Sequence, residues 1–201
     1  SKAIIEYNID NLNKFGIENV YVSVKYLSEK IIDYLGDGKE YGLNIKYLEE
    51  TKPLGTLGSV SLIKKIESDT ILVMNSDLFT NIDLEEFYLH FIESGADMAV
   101  ASFPYVVSVP YGVLNVEASV VQSFSEKPIY TYQSSAGMYL IKKEVIDLVP
   151  KDLFYNVTDL MDLLISKNKK IVYFPIVGYW IDIGNPDDYK KAQEYVKYLE
   201  V

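Results

Sequence analysis

The chain has 201 residues, 49% hydrophobic and 24% charged, which suits one buried core and excludes a disordered or fibrous protein. It holds no cysteine and a single histidine, His90, so a disulfide framework, a thiolate or multi-histidine zinc site and a cysteine nucleophile are all excluded. Its 19 cationic residues, all lysines, face 29 carboxylates, and the net charge of −10 argues against a nucleic-acid partner.

The elements alternate from the start. Ala3 to Phe15 carries Ile4, Ile5, Ile9 and Leu12 at helical spacing, and Gly16 follows as a stop signal. Val20 to Val24 reads as a strand, and Ser28 as the cap of a helix that runs to Leu35 and ends in Gly36-Asp37-Gly38. A strand is expected over Ile45 to Leu48 and a helix over Leu57 to Ile66. Thr70 to Met74 is nearly all apolar, as a strand buried on both faces should be. The next helix has Asp83 in its first turn and Leu84, Phe87 and Phe91 on one side; His90 on it reads as a solvated side chain.

Beyond Met98 the pattern is mostly strand: Ala99 to Phe103, Gly112 to Val116, Val120 to Phe124 and Gly137 to Ile141. Helices return at Glu144 to Leu148, Val157 to Ser166 and Pro186 to Tyr198, with strands at Lys170 to Phe174 and Tyr179 to Ile181 between the last two. Lys167, Lys169 and Lys170 read as a solvated turn. The alternation predicts an α/β fold with a mixed sheet, parallel in its first half. No repeat or linker divides the chain, so residues 1–201 form a single domain. No apolar run reaches membrane-spanning length and no leader opens the chain, so a soluble, cytoplasmic protein without a membrane partner is expected. The opening on a helix, with no strand before it, reads as a fragment missing its first strand.

Ligands of open α/β sheets bind beyond the carboxyl ends of the strands. Asp77 follows the strand ending at Met74, and Asp182 follows Tyr179 to Ile181. Together they would make a hard oxygen site suited to Mg²⁺; separately each is an ordinary turn or cap residue. Glu126-Lys127-Pro128 places a lysine where it could neutralise a phosphate, or a solvated pair at a proline turn. Leu54, Gly55 and Thr56 precede a helix with glycines that permit close backbone approach to a ligand, yet the spacing is neither that of a dinucleotide fingerprint nor that of a P-loop. Tyr111-Gly112 opens a strand and either offers an N–H to a ligand or is a plain turn.

Six segments in order, Pro53 to Gly58, Val73 to Asp77, Pro110 to Val113, Glu126 to Pro128, Ser135 to Tyr139 and Trp180 to Gly184, resemble the sugar-1-phosphate nucleotidyltransferases, above all the mannose-1-phosphate guanylyltransferase-like branch. The resemblance implies a Rossmann-like three-layer α/β/α domain with a mixed, mainly parallel sheet. It also implies a reaction in which a sugar-1-phosphate attacks the α-phosphorus of a nucleoside triphosphate, GTP favoured, and releases pyrophosphate. By the same resemblance Asp77 and Asp182 hold Mg²⁺, Lys127 meets the sugar phosphate, Glu126 accepts from sugar hydroxyls and the Gly112 backbone contacts the sugar. Leu54, Gly55 and Thr56 meet the nucleobase, and Ser135 and Gly137 line the sugar pocket.

The sequence departs from that family in lacking its opening strand and Gly-x-Gly-Thr-Arg loop, so weak or absent turnover is expected of this chain alone. Ser76 and Ser135 stand where Gly and Asn are usual. Two other readings remain. A nucleotide-sugar-dependent glycosyltransferase would use an Asp-x-Asp motif where this chain has Asn75-Ser76-Asp77; a regulatory domain would bind a nucleotide sugar without turning it over.

Overall fold

The structure is a computed structural model, and it describes residues 2–199. Helix α1 (Ile4–Lys14) is followed by β1 (Asn19–Val24), α2 (Ser28–Leu35) and β2 (Asn44–Glu49). Then come the short α3 (Gly55–Gly58), β3 (Thr70–Met74), β4 (Leu78–Thr80) and α4 (Leu84–Ser94). Two long strands, β5 (Met98–Ser108) and β8 (Ile129–Lys142), enclose the hairpin of β6 (Val113–Glu117) and β7 (Val120–Ser125). The chain closes with α5 (Lys143–Ile146), α6 (Val157–Ser166), β9 (Ile171–Pro175), β10 (Trp180–Asp182) and α7 (Pro186–Leu199).

The central sheet has the order β3-β8-β5-β9. β8 is antiparallel to β3 and β5, and β9 is parallel to β5, so three strands point one way and one returns. β1 and β2 pair in parallel as a separate ribbon.

Side chains alternate across the central sheet with period two, and each face finds its own helices. Leu72, Met74, Ala99, Ala101, Met138 and Leu140 pack with Leu12 of α1 and Leu84, Phe87 and Phe91 of α4. Ile71, Val73, Met98, Val100 and Ile141 pack with Val145 and Ile146 of α5 and Leu160 and Leu164 of α6. That is the expected three-layer α/β/α sandwich. Helix α1 also covers the β1–β2 ribbon, where Ile9 packs with Leu35, Leu43 and Ile45, so it bridges two sheets that share no hydrogen bond among the described residues.

Several local expectations are corrected. Thr70–Met74 is half-exposed throughout, because β3 is an edge strand and a cleft of about 400 Å³ opens over Leu72 and Leu140. The helix expected over Leu57 to Ile66 is one α turn followed by a 3₁₀ turn, Ser59–Leu62. The amides of Leu57 and Gly58, in its first turn, both donate to the Tyr155 carbonyl, and beyond them the Gly58 carbonyl accepts from Ser61 Oγ at 2.7 Å while Ile63 N bonds the Val60 carbonyl in 3₁₀ register. Ser28 does not cap α2; Leu27 holds that position in the left-handed region without a side-chain bond. Asp83 is the N-cap of α4, its Oδ1 accepting from Glu86 N at 2.9 Å. His90 is only partly exposed: its Nε2 is shielded, with no partner among the described residues, and its ring lies 5.6 Å from that of Phe174. Lys167, Lys169 and Lys170 are exposed beside a turn, as expected, with Lys169 reaching Asp97 at 3.4 Å and Lys170 Nζ the Ser94 carbonyl at 2.6 Å.

Candidate active site

The carboxyl end of β3 turns through Asn75 and Ser76 to Asp77 and enters β4. β4 pairs antiparallel with β10 in a register that sets Asp182 opposite Leu78, and Ile183 N donates to the Asp77 carbonyl at 3.0 Å. Two aspartates 105 positions apart in sequence thus stand side by side. Burial first, and then the negative charges of Asp77 and Asp188, push the Asp182 carboxyl above the ordinary carboxylate range. Neither Asp77 nor Asp182 has an ion-pair partner among the described residues. Nor do the described residues hold a cluster of three or more acidic or histidine side chains, so any cation here would rest on two carboxylates.

Both aspartates are tied to one stretch of β8. Gly137 has φ +72° and lies under Asn75, whose amide nitrogen is 2.8 Å from where a Cβ would project. Asn75 N also donates to the Gly137 carbonyl at 3.0 Å, while the Trp180 indole N–H donates to the Ala136 carbonyl at 2.9 Å. Ser135, just before, is exposed and shares a 2.8 Å hydrogen bond with the Tyr139 hydroxyl. Gly137 is buried, so Ser135 is the member of this pair that faces outward.

A second group lies at the tip of the β5–β8 ribbon, closed by a Val109 N to Pro128 O bond at 3.1 Å. Tyr111 is exposed, and a Cβ on Gly112 would fall 2.5 Å from the Phe124 ring and 3.2 Å from Glu126 Oε2. Gly112 and Glu126 therefore face each other directly. Lys127 is exposed, has φ +44° and forms no ion pair among the described residues. No hydrogen bond or ion pair among the described residues joins this tip to the aspartate pair.

The third group is the Leu54–Thr56 turn. Leu54 is 1% exposed, its N–H donates to Glu50 Oε2 at 3.0 Å, and its carbonyl accepts from Tyr155 N at 2.8 Å. Thr56 N donates to Asn156 Oδ1 at 3.3 Å, and Thr56 Oγ1 accepts from Val157 N at 3.0 Å. The close backbone approach that Gly55 permits is to the chain itself: a Cβ there would meet Asn156 Oδ1 at 2.7 Å and the Tyr155 carbonyl at 2.8 Å.

A family model described as nucleotidyl transferase matches residues 1–198. The chain belongs to the nucleotidyl transferase family. This nucleotidyltransferase is 30% identical to a D-glycero-alpha-D-manno-heptose 1-phosphate guanylyltransferase of Aneurinibacillus thermoaerophilus, over 98% of this chain and 86% of that protein. It is 28% identical to mannose-1-phosphate guanyltransferase 2 of Candida glabrata over 94% of its length, spanning 55% of the yeast protein. HddC from Yersinia pseudotuberculosis, solved as a complex with GMP-PN, superposes with a TM-score of 0.74 at 25% identity, covering 98% of this chain and 86% of that one.

In the nucleotidyltransferase, the residues singled out by sequence fall into three groups: Asp77, Ser135, Gly137 and Asp182 at the sheet, Tyr111, Gly112, Glu126 and Lys127 at the ribbon tip, and Leu54, Gly55 and Thr56 against α6. Sequence reading missed Glu50, whose carboxylate bonds both the Ser23 hydroxyl and the Leu54 amide, and Asn156, which fixes the Thr56 amide. Asn156 with Asp159 is legible as a helix-start box, but its second partner lies 100 residues away.

Proposed function

We propose that the chain is the catalytic domain of a sugar-1-phosphate guanylyltransferase. A phosphate oxygen of the sugar-1-phosphate forms a bond to the α-phosphorus of GTP, the bond from that phosphorus to the β-phosphate bridging oxygen breaks, and pyrophosphate leaves. In-line displacement at phosphorus asks for positioning and charge neutralisation, so a chain without cysteine lacks nothing the chemistry needs.

The observation that carries this reading is the uncompensated pair Asp77–Asp182 beside β8. Two hard oxygen donors whose charges repel suit Mg²⁺, which is held by one or two carboxylates with substrate phosphates and water completing its shell. Bound there, Mg²⁺ would neutralise charge on the reacting phosphates. Lys127 at the ribbon tip meets the sugar phosphate, Glu126 accepts from sugar hydroxyls, and the Gly112 N–H, Tyr111 and Ser135 complete the sugar pocket over Gly137. Gly55 and Thr56 present the edge that meets guanine, with Leu54 as the buried anchor. Guanine is favoured because the two enzyme relatives are guanylyltransferases, and a hexose- or heptose-1-phosphate because those are the substrates in their names. The reaction consumes a nucleoside triphosphate, which places its work in the cytoplasm, where these are supplied; no helix among the described residues is long and apolar enough to cross a membrane.

β1 and β3 each have an edge without a partner among the described residues, and α1 packs on both strands, which supports the further reading that one more strand lies between them. The test is a thermal-shift series with Mg²⁺, GTP, other nucleoside triphosphates and GDP-sugars, run beside a pyrophosphate-release assay. A Mg²⁺-dependent shift selective for guanine nucleotides is expected, a ligand at 100 times its Kd being worth about 2.7 kcal/mol. Asp77→Asn removes it. An equal shift with every base, or one that survives Asp77→Asn, refutes the assignment.

A further inference from the structure

The turn that carries Asp77 is pinned at three consecutive residues by three different elements. Asn75 N donates to the Gly137 carbonyl of β8 at 3.0 Å. The Ser76 carbonyl accepts from Asn8 Nδ2 of α1 at 3.0 Å. The Asp77 carbonyl accepts from Ile183 N, just past β10, at 3.0 Å. The first and last are backbone bonds, which no choice of side chain supplies. The bond from Asn8 is the one side-chain hydrogen bond made to this turn among the described residues, and it joins positions 68 apart in sequence.

Asn8 sits where the fold asks for an apolar residue. Ile5, Asn8, Ile9 and Leu12 form one i, i+3, i+4, i+7 stripe along α1. Asn8 is 7% exposed, beside Ile9 at 2% and Leu12 at 8%. An amide at such a position forgoes apolar burial and requires a hydrogen-bond partner. Its partner is a carbonyl oxygen, which only accepts, so the amide must turn its NH₂ toward Ser76. Ser76 is itself exposed, so packing of the core does not call for a buried amide to serve it. What Asn8 adds is place: it fixes the residue immediately before Asp77 relative to α1. The adjacent Tyr7 ring meets Phe79 edge-on at 5.4 Å, so α1 braces β4 as well as the turn that leads into it.

We propose that Asn8 is a positioning residue for the metal site: by holding Ser76 it sets the Asp77 carboxylate against that of Asp182, and so governs affinity for a divalent cation. The proposal rests on the reading of that pair as the Mg²⁺ ligands. A small cation with near-octahedral demands tolerates little error in the spacing of its two carboxylates. Groups that orient a ligand from behind typically carry about 10- to 100-fold of metal affinity.

The test uses Mn²⁺ in place of Mg²⁺, with binding to the full chain followed by water-proton relaxation. Asn8→Leu keeps the branched shape and completes the apolar stripe but removes the donor. It should melt within a few degrees of wild type and bind Mn²⁺ about tenfold or more weakly. Asn8→Ala, which cannot clash, should weaken binding to the same degree. Ile9→Val, a packing loss one position along that touches nothing of the turn, should bind as wild type does. Without metal, amide exchange at Asn75 and Ile183 should speed by about tenfold in both Asn8 variants, with the β1–β2 amides unchanged.

Exchange at those two amides that ignores the loss of Asn8 overturns the proposal. So does a loosened turn that binds Mn²⁺ with wild-type affinity, which would make the Asn8 bond purely structural. In both cases Asp77→Asn still abolishes binding and the metal reading stands. A wild-type chain that binds no Mn²⁺, or whose binding survives Asp77→Asn, refutes that reading and the role of Asn8 with it.

Discussion

The Trp180 indole N–H donates to the Ala136 carbonyl at 2.9 Å, and through that bond the strand carrying Asp182 is held against β8. The Phe103 ring stacks on Trp180 at 5.7 Å, closing the indole in from a second side. Trp180→Phe keeps most of the packing but strands the carbonyl, costing about 1 kcal/mol of stability. Its larger effect is expected on Mg²⁺ affinity, because Asp182 loses its fixed distance from Asp77. Denaturant unfolding and a Mg²⁺ titration of the same variant separate the two.

Asp182 has its folded pKa raised by burial and by the Asp77 and Asp188 charges. Such a group holds its proton more tightly folded than unfolded. Its contribution to stability is therefore largest below the ordinary carboxylate pKa and declines as pH rises through the raised folded value. At pH 7 Asp182→Asn should leave the melting temperature unchanged or slightly higher, by no more than about 1 kcal/mol for so exposed a group. Mg²⁺ should stabilise the wild type and not the variant; a variant that melts well below wild type without metal refutes the repulsion.

Asp97 has the opposite sign. Burial alone would raise its pKa, but the Lys170 backbone N–H and the ammonium groups of Lys169 and Lys142 outweigh burial and hold the carboxyl below its usual range. The resulting stability is present above the ordinary aspartate pKa and disappears as pH falls through the depressed folded value. Asp97→Ala should cost about 1–3 kcal/mol at pH 7, and the difference should vanish in strong acid. Melting curves across that range check it.

Gly55 and Gly16 both have φ near +75°, yet only Gly55 is crowded. Gly16→Ala meets nothing within 4 Å and should cost about 1–2 kcal/mol, the left-handed penalty alone. Gly55→Ala drives a Cβ into Asn156 and Tyr155 and should cost about 3 kcal/mol or more. Equal losses in the two variants would mean that the Leu54–Thr56 turn yields freely.

Lys127 occupies the left-handed region at φ +44° immediately before Pro128. Lys127→Gly should be about 1 kcal/mol more stable than Lys127→Ala, because only glycine escapes that penalty. Both should lose sugar-phosphate binding to the same extent. A difference in binding between them would assign Lys127 a backbone role rather than a charged one.

Local chemistry determined much by itself. The β-rich runs Ala99 to Phe103 and Lys170 to Phe174 marked β5 and β9, the apolar spacing of Leu84, Phe87 and Phe91 marked α4, and Val157 to Ser166 was readable as α6. The ordered motifs carried the family, because each is a short backbone pattern complete in consecutive residues. Only tertiary structure decided which of those patterns meet. Asp77 and Asp182 are neighbours because β4 and β10 pair, and the turn at Gly55 is docked where it is because Leu57 and Gly58 donate to the Tyr155 carbonyl. The apolar Thr70–Met74 is half-exposed because it lies at a sheet edge. Hydrogen bonds and charge interactions between residues about a hundred positions apart leave no periodic trace along the chain, since their partners are chosen by packing rather than by spacing.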